Sequence, residues 1–258
     1  MERASNWMVA EKTDAIVLRV VSWSETSLIV TLLTRDFGKV SALAKGARRP
    51  KSPFEAALDL LCRCRIVFLP KSGDVLDLLT EAKLMRRFRN ESRRLPNLYA
   101  AYYVVELMRE LIDHGQVQPA VYDLADETLL KLEQDAQIDG VLLQFEMSLL
   151  RLLGHQPNMT RCVGCDRPMV EEGPIDFGLL VSGVLCDRCV AGQRQVIRMR
   201  GESRQIFALL SEESEWESGW LTIPDKVRGE CRAIIQRYLT VHFDRQWQLH
   251  RYLEDLAR

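Results

Sequence analysis

The sequence lacks the features that would place the chain in a membrane or in the secretory pathway. Its 258 residues contain no apolar run long enough to span a bilayer. The first thirteen residues contain neither the apolar stretch nor the small-residue cleavage site of a secretory signal. We therefore expect a cytoplasmic protein with no membrane partner.

The sequence also lacks the short motifs of common enzyme classes. It has no phosphate-binding glycine loop, no dinucleotide fingerprint, no nucleophile elbow and no His-Glu-x-x-His zinc motif. Asp123, Asp126 and Glu127 place three carboxylates on one predicted helix. Because no ligands from elsewhere in the chain accompany them, we expect a solvated helix face and not a Mg²⁺ site. We expect that the protein is not an enzyme.

The formal net charge is only -1, but basic and acidic residues are strongly segregated along the chain. Residues 35–51 and residues 83–94 each carry six basic side chains and one acidic side chain, whereas residues 113–139 carry seven acids and one lysine. A basic amino-terminal part of this kind is typical of proteins that bind polyanions. Clustering of ordinary solvated surface charge is the alternative, and composition alone does not choose between them.

Cysteine is present without an export signal, so the seven thiols are predicted to be free or to bind metal. Four of them form two Cys-x-x-Cys pairs separated by 20 residues: Cys162, Cys165, Cys186 and Cys189. Two pairs at this spacing predict one structural zinc ion with a filled tetrahedral thiolate shell, which leaves no open position for catalysis. Four thiolates suffice, so the nearby His155 is expected to be a packing or surface residue.

The first third of the chain predicts β-structure, since short β-branched runs alternate with turn residues. The five predicted strands are 15–21, 27–33, 39–44, 58–69 and 75–82. Five strands with little helix between them predict a small closed barrel, most commonly an OB-fold, although strand count does not exclude an SH3-like barrel.

Helical periodicity replaces this pattern from Leu95 onward. Helices are predicted from Leu95 to a C-terminal cap at Gly115, and over 119–134, 141–153, 202–210 and 225–242, followed by an amphipathic piece carrying Trp247 and Leu253. The predicted fold class is α+β with two domains. These are an OB-fold barrel over 1–82 and a helical domain over 83–258, with a zinc module inserted at 158–193.

A basic loop follows the third predicted strand directly. Gly46 and Pro50 oppose helix formation there, so the loop's cations are expected to follow a phosphate backbone without reading bases. Trp23 and Phe37 are candidates for base stacking, although a lone aromatic side chain in a small barrel more often belongs to the core. The predicted DNA-binding residues are Lys39, Lys45, Arg48, Arg49, Lys51, Arg86, Arg87 and Arg89.

Four segments of the sequence are distinctive: Trp23-Ser24-Glu25-Thr26-Ser27-Leu28, Gly38-Lys39, Ala44-Lys45-Gly46-Ala47-Arg48, and Leu152-Leu153-Gly154-His155-Gln156-Pro157 leading into Cys162 and Cys165. Together they resemble the motifs of the RecO family of recombination mediators. The order of parts matches over essentially the whole chain.

The resemblance implies a bacterial, nucleoid-associated repair protein that binds single- and double-stranded DNA and anneals complementary strands. It also implies association with RecR and single-strand binding protein, help in loading the recombinase RecA, and no cofactor beyond zinc. A zinc-containing RNA-binding or transcription-associated adaptor is the alternative, and a metal-dependent nuclease ranks below both.

Overall fold

The computed structural model describes residues 9–54, 57–73, 75–89, 95–134, 137–169, 173–212 and 223–249. The chain forms two compact units, Met1–Gln134 and Asp135–Arg258. The division predicted between residues 82 and 83 falls within the first unit, which contains the barrel and two helices. None of the described helices is long and apolar enough to cross a membrane.

Five strands in the first unit close into a barrel. They are β1 (Glu11–Ser22), β2 (Leu28–Thr34), β3 (Gly38–Ala44), β4 (Arg63–Leu69) and β5 (Asp77–Arg86). The strand order is β1-β2-β3-β5-β4, with β4 returning to β1 and β3 parallel to β5. The predicted barrel is thereby confirmed, and its five strands are consistent with an OB-fold.

Apolar side chains at alternate positions along the strands fill the barrel interior. Ala15 and Val17 on β1 and Val30 and Leu32 on β2 belong to one buried apolar cluster, which Phe68 on β4 joins. Ile16 and Leu18 are buried as well but lie outside that cluster. β1 therefore carries apolar residues on both faces, and α1 (Leu95–Leu111) packs against it from outside the barrel.

The fourth strand is shorter than predicted. β4 begins at Arg63 and not at residue 58, because the chain first makes a turn in which Leu61 has a φ of 66° and the Cys62 amide donates to the Asp59 carbonyl. Leu61 and Cys62 at the end of this turn are buried like strand residues, so an apolar run alone does not distinguish the turn from the strand. β5 also differs, since it continues to Arg86, beyond the predicted end at residue 82.

Gly115 does not cap the first helix as predicted. The helix ends at Leu111, and Gly115 donates its amide to the Lys39 carbonyl on β3. The neighbouring segment lies so close to the β2–β3 turn that a Cβ on Gly38 would stand 2.2 Å from the Gln116 carbonyl oxygen. Tertiary contact with the barrel explains the position of Gly115.

Ion pairs fasten α2 (Pro119–Glu133) to the barrel. Asp126 accepts from Arg63 at 2.7 Å and from Arg86 at 2.8 Å, and Asp123 forms a two-pronged pair with Arg35 at 2.9 Å. Glu127 pairs with Lys131 on the same helix. The expectation of a solvated face is therefore wrong for Asp126, whose side chain is 14% exposed.

The second unit contains a small three-stranded sheet and several helices. α3 (Ile138–Leu152) precedes the strands β6 (Ile175–Gly178), β7 (Gly183–Leu185) and β8 (Val196–Met199), and α4 (Gly201–Ser211) and α5 (Asp225–Phe243) follow. Buried Glu146 on α3 accepts from Arg232 on α5, which ties these two helices together. The predicted helices are confirmed, whereas no bounds were predicted for β6, β7 or β8. Most of the predicted final amphipathic piece, including Leu253, lies outside the described residues; Trp247 is buried.

Candidate metal centre and nucleic-acid interface

The two Cys-x-x-Cys pairs meet at one point. The Sγ atoms of Cys162, Cys165, Cys186 and Cys189 all lie within 4.8 Å of one another, with Cys165 and Cys186 3.8 Å apart. A tetrahedral thiolate site with metal–sulfur bonds of about 2.3 Å has edges of about 3.8 Å, so the residues fit a zinc ion. The predicted gathering of these four residues is therefore correct.

Local backbone geometry builds this cluster. The antiparallel hairpin of β6 and β7 brings the second pair back to the first, and the Val163 amide donates to the Val184 carbonyl at 3.0 Å. Gly164 fits beneath the cluster because a Cβ there would stand 2.8 Å from Cβ of Cys189. A side chain at position 164 would therefore displace one of the four ligands.

Backbone amides favour thiolate at two of the four cysteines. Burial opposes ionisation of Cys162, but the amides of Cys186, Gly164 and Cys165 outweigh it and lower the pKa of Cys162 to about 6. Burial likewise opposes ionisation of Cys186, and nearby amides lower its pKa as well. The pKa of Cys189 shifts in the opposite direction, because hydrogen bonds with Cys186 and Cys165 raise it to about 12. Four thiolates this close require a cation among them.

The predicted DNA-binding cations separate into two groups. Lys45, Arg48, Arg49 and Lys51 are exposed in the loop after β3, and none of these side chains has an acidic partner among the described residues. Arg87 and Arg89 follow β5 and are also exposed. We call the first four residues the basic loop.

Lys39 and Arg86 do not share this exposure. Lys39 is 8% exposed, and its ammonium donates to the Arg109 carbonyl at 2.6 Å. Arg86 is held by Asp126 and by Glu133 on α2. Charge segregation in the sequence does not distinguish these two structural cations from the exposed ones, because their partners lie many residues away.

The two aromatic candidates also separate. Phe37 packs edge-on against Phe68 with ring centroids 5.3 Å apart, as expected for a core residue. Trp23 is 65% exposed and lies in the turn between β1 and β2. The expectation of a core position is therefore wrong for Trp23, whereas Phe37 is partly buried and packs against the core cluster.

A histidine pair near the cysteine module was not predicted. His155 lies exposed on the surface, one of the two expected positions, and Nε2 of His242 lies 3.0 Å from its Nδ1. Tyr238 stacks on His242 and donates its hydroxyl to the His155 carbonyl at 2.8 Å. Burial and the neighbouring His155 lower the pKa of His242. The sequence gives no signal for this pair, because 87 positions separate its members.

Comparison with known proteins covers nearly the whole chain. Residues 8–88 match the family model described as recombination protein O N terminal, and residues 92–251 match recombination protein O C terminal. A DNA repair protein RecO of Rhodopirellula baltica is 44% identical over 202 residues, which span 78% of this chain and 75% of the relative. The RecO protein of Symbiobacterium thermophilum is 30% identical over 251 residues, which span 96% of this chain and 98% of the relative.

The RecO protein of Halalkalibacterium halodurans is 25% identical over 245 residues and matches 95% of this chain and 94% of its own length. Both family models, in the expected order, together with two relatives of 30% identity or more that match along most of their length, establish the assignment. The resemblance seen in the sequence motifs is confirmed: this chain belongs to the RecO family.

Proposed function

We propose that the protein is a DNA-binding mediator of recombination and repair, which anneals complementary strands and helps to load a recombinase onto single-stranded DNA. The observation that carries this proposal is the basic loop, whose four cations are exposed beside a small closed barrel. Loops at the rim of such barrels are a common place for oligonucleotides to bind. Family membership supports the role in repair, since the relatives are named DNA repair protein RecO.

The cations of the basic loop account for annealing without an energy source. Two complementary strands repel each other through their phosphates, and bound Lys and Arg side chains neutralise part of that charge and release counterions. The contacts go to the backbone, so the effect is the same for unrelated sequences. Arg87 and Arg89 extend this proposed surface. Lys39 is left out because it is buried, and Arg86 is left out because it is ion-paired with Asp126 and Glu133.

Zinc would be held by Cys162, Cys165, Cys186 and Cys189 and would supply structural stability. All four thiolates would be occupied as ligands, so the metal offers no position to a substrate. We accordingly propose a non-enzymatic protein. We also propose the division into residues 1–82 for nucleic-acid binding and residues 83–258 for the helical part, with the zinc module at 158–193.

The proposed partners follow from the family. They are single- and double-stranded DNA, RecR, single-strand binding protein and, indirectly, the RecA filament, in the cytoplasm at the bacterial nucleoid. DNA as a partner is supported by the basic loop as well, whereas RecR, single-strand binding protein and the RecA filament are proposed from family membership.

Annealing of labelled complementary oligonucleotides tests this function. The purified protein should accelerate duplex formation without ATP, leave both strands intact, and lose the effect as salt is raised. A protein that binds RNA and fails to anneal DNA would support the adaptor alternative. Cleavage of the strands that disappears in the Cys186→Ser variant would support a metalloenzyme.

A further inference from the structure

A hollow of about 410 Å³ lies at one end of the barrel, between the β1–β2 turn and the basic loop. Its lining includes Trp23, Thr26, Leu43, Lys45, Gly46 and Arg49. The volume falls within the range of about 300–1,000 Å³ that is usual for pockets holding small organic groups. An exposed indole and two cations therefore border one concave surface.

Hydrogen bonds join the two segments that form this hollow. The Trp23 amide donates to the Ser27 carbonyl at 3.0 Å and closes the β1–β2 turn. The Arg48 amide donates to the Thr26 carbonyl at 3.0 Å, and the Gly46 amide donates to the Ser27 hydroxyl at 3.3 Å. The backbone of the basic loop is thus anchored to the turn that carries Trp23, so the two segments stay together around the hollow.

Arg49 is placed within this arrangement by Gly46. Gly46 has a φ of 71°, a left-handed conformation that glycine adopts without steric cost. The aliphatic part of Arg49 lies close to it, since a Cβ on Gly46 would stand 3.5 Å from Cδ of Arg49. The tight turn at Gly46 thus sets Arg49 against the hollow that Trp23 borders.

We propose that Trp23 is a stacking platform for one unpaired base, so that this surface binds single strands in preference to duplexes. The aromatic face would take the base while Lys45 and Arg49 contact the flanking phosphates. In a duplex each base face is already covered by its neighbours, whereas an unpaired base can leave the stack. The inference rests on the proposed DNA-binding function and adds the class of DNA that this site prefers.

The test uses the zinc-loaded 258-residue chain, three ligands, three substitutions of Trp23 and one control variant. The ligands are a single-stranded oligothymidylate, an abasic strand of the same length, and a blunt duplex. Trp23→Ala should weaken oligothymidylate binding about 5- to 150-fold, the range for loss of one base–aromatic stack, and leave the other two affinities unchanged. Trp23→Phe should retain most of the affinity, and Trp23→Leu should behave like Trp23→Ala because it keeps apolar bulk without an aromatic face.

Leu95→Ala serves as the matched control, since it removes another exposed apolar side chain, 55% exposed, that is not among the residues lining the hollow. It should leave all three affinities unchanged. An equal loss for oligothymidylate, abasic strand and duplex in Trp23→Ala would overturn the stacking role, because it would show that the residue only shapes the loop. Unchanged binding of every ligand would also overturn it, while leaving DNA binding by the basic loop intact. A wild-type protein that binds none of the ligands would instead reject the proposed function itself.

Discussion

Replacing Arg48 and Arg49 by alanine should flatten the salt dependence of DNA binding. Both side chains are exposed, and their backbone amides are anchored to the Thr26 and Gly46 carbonyls at 3.0 Å. Alanine leaves these backbone hydrogen bonds in place, so the substitutions remove charge without removing the loop. Any change in affinity then reports the two guanidinium groups.

The magnitude follows from counterion release. Each phosphate contact contributes about 0.9 to the slope of log affinity against log salt on duplex DNA, so the slope should fall by about 1.8. Across a fourfold rise in salt, the wild-type affinity should therefore drop about 12-fold more than the variant's. Unrelated duplex sequences should give the same result, because backbone contacts carry no base information.

Fluorescence anisotropy with a labelled duplex, between about 50 and 200 mM salt, measures both slopes. The matched control is Lys12→Ala with Arg237→Ala, which removes two other exposed cations, one at the start of β1 and one on α5. This control should keep the wild-type slope. An unchanged slope in the basic-loop variant would refute phosphate binding by the basic loop. A control whose slope falls as much as that of the variant would also refute it.

Two further predictions concern metal binding and pH. Cys165→Ser should abolish the one zinc per chain measured by elemental analysis and unfold the cysteine module locally, because structural zinc contributes about 10–16 kcal/mol of apparent binding free energy. The control Cys231→Ser changes a buried thiol outside the cluster and should retain the metal. Equal zinc content in the two variants would contradict the site. The hydrogen bond from Arg65, opposed by burial and reinforced by Arg63, lowers the pKa of Asp14 below its ordinary value of 3.8. The unfolded chain therefore binds more protons at Asp14 than the folded chain does. This contribution to stability is complete above pH 3.8 and is lost as pH falls through the folded-state pKa. Denaturant titrations should therefore show a shallower acid-side decline for Asp14→Asn than for wild type, and identical declines would reject this origin.

The sequence determined the elements whose signals are local. Strands β1 to β3 are β-branched runs between turn residues, and their bounds lie within a few residues of those predicted. The helices follow from apolar spacings of three and four, and the cysteine cluster follows from two short pairs joined by turn-forming residues. Each of these signals depends on residues that are close together in the chain.

Tertiary structure decided which cations and aromatic residues are available to a ligand. Arg86 and Arg89 are both basic residues of one segment, but only the former meets Asp126, 40 positions away, on a helix packed against the barrel. The exposure of Trp23 and the partial burial of Phe37 likewise depend on which loop each residue occupies once the barrel closes. Periodicity reports the side of an element on which a residue lies, whereas only the packing of distant elements determines what covers that side.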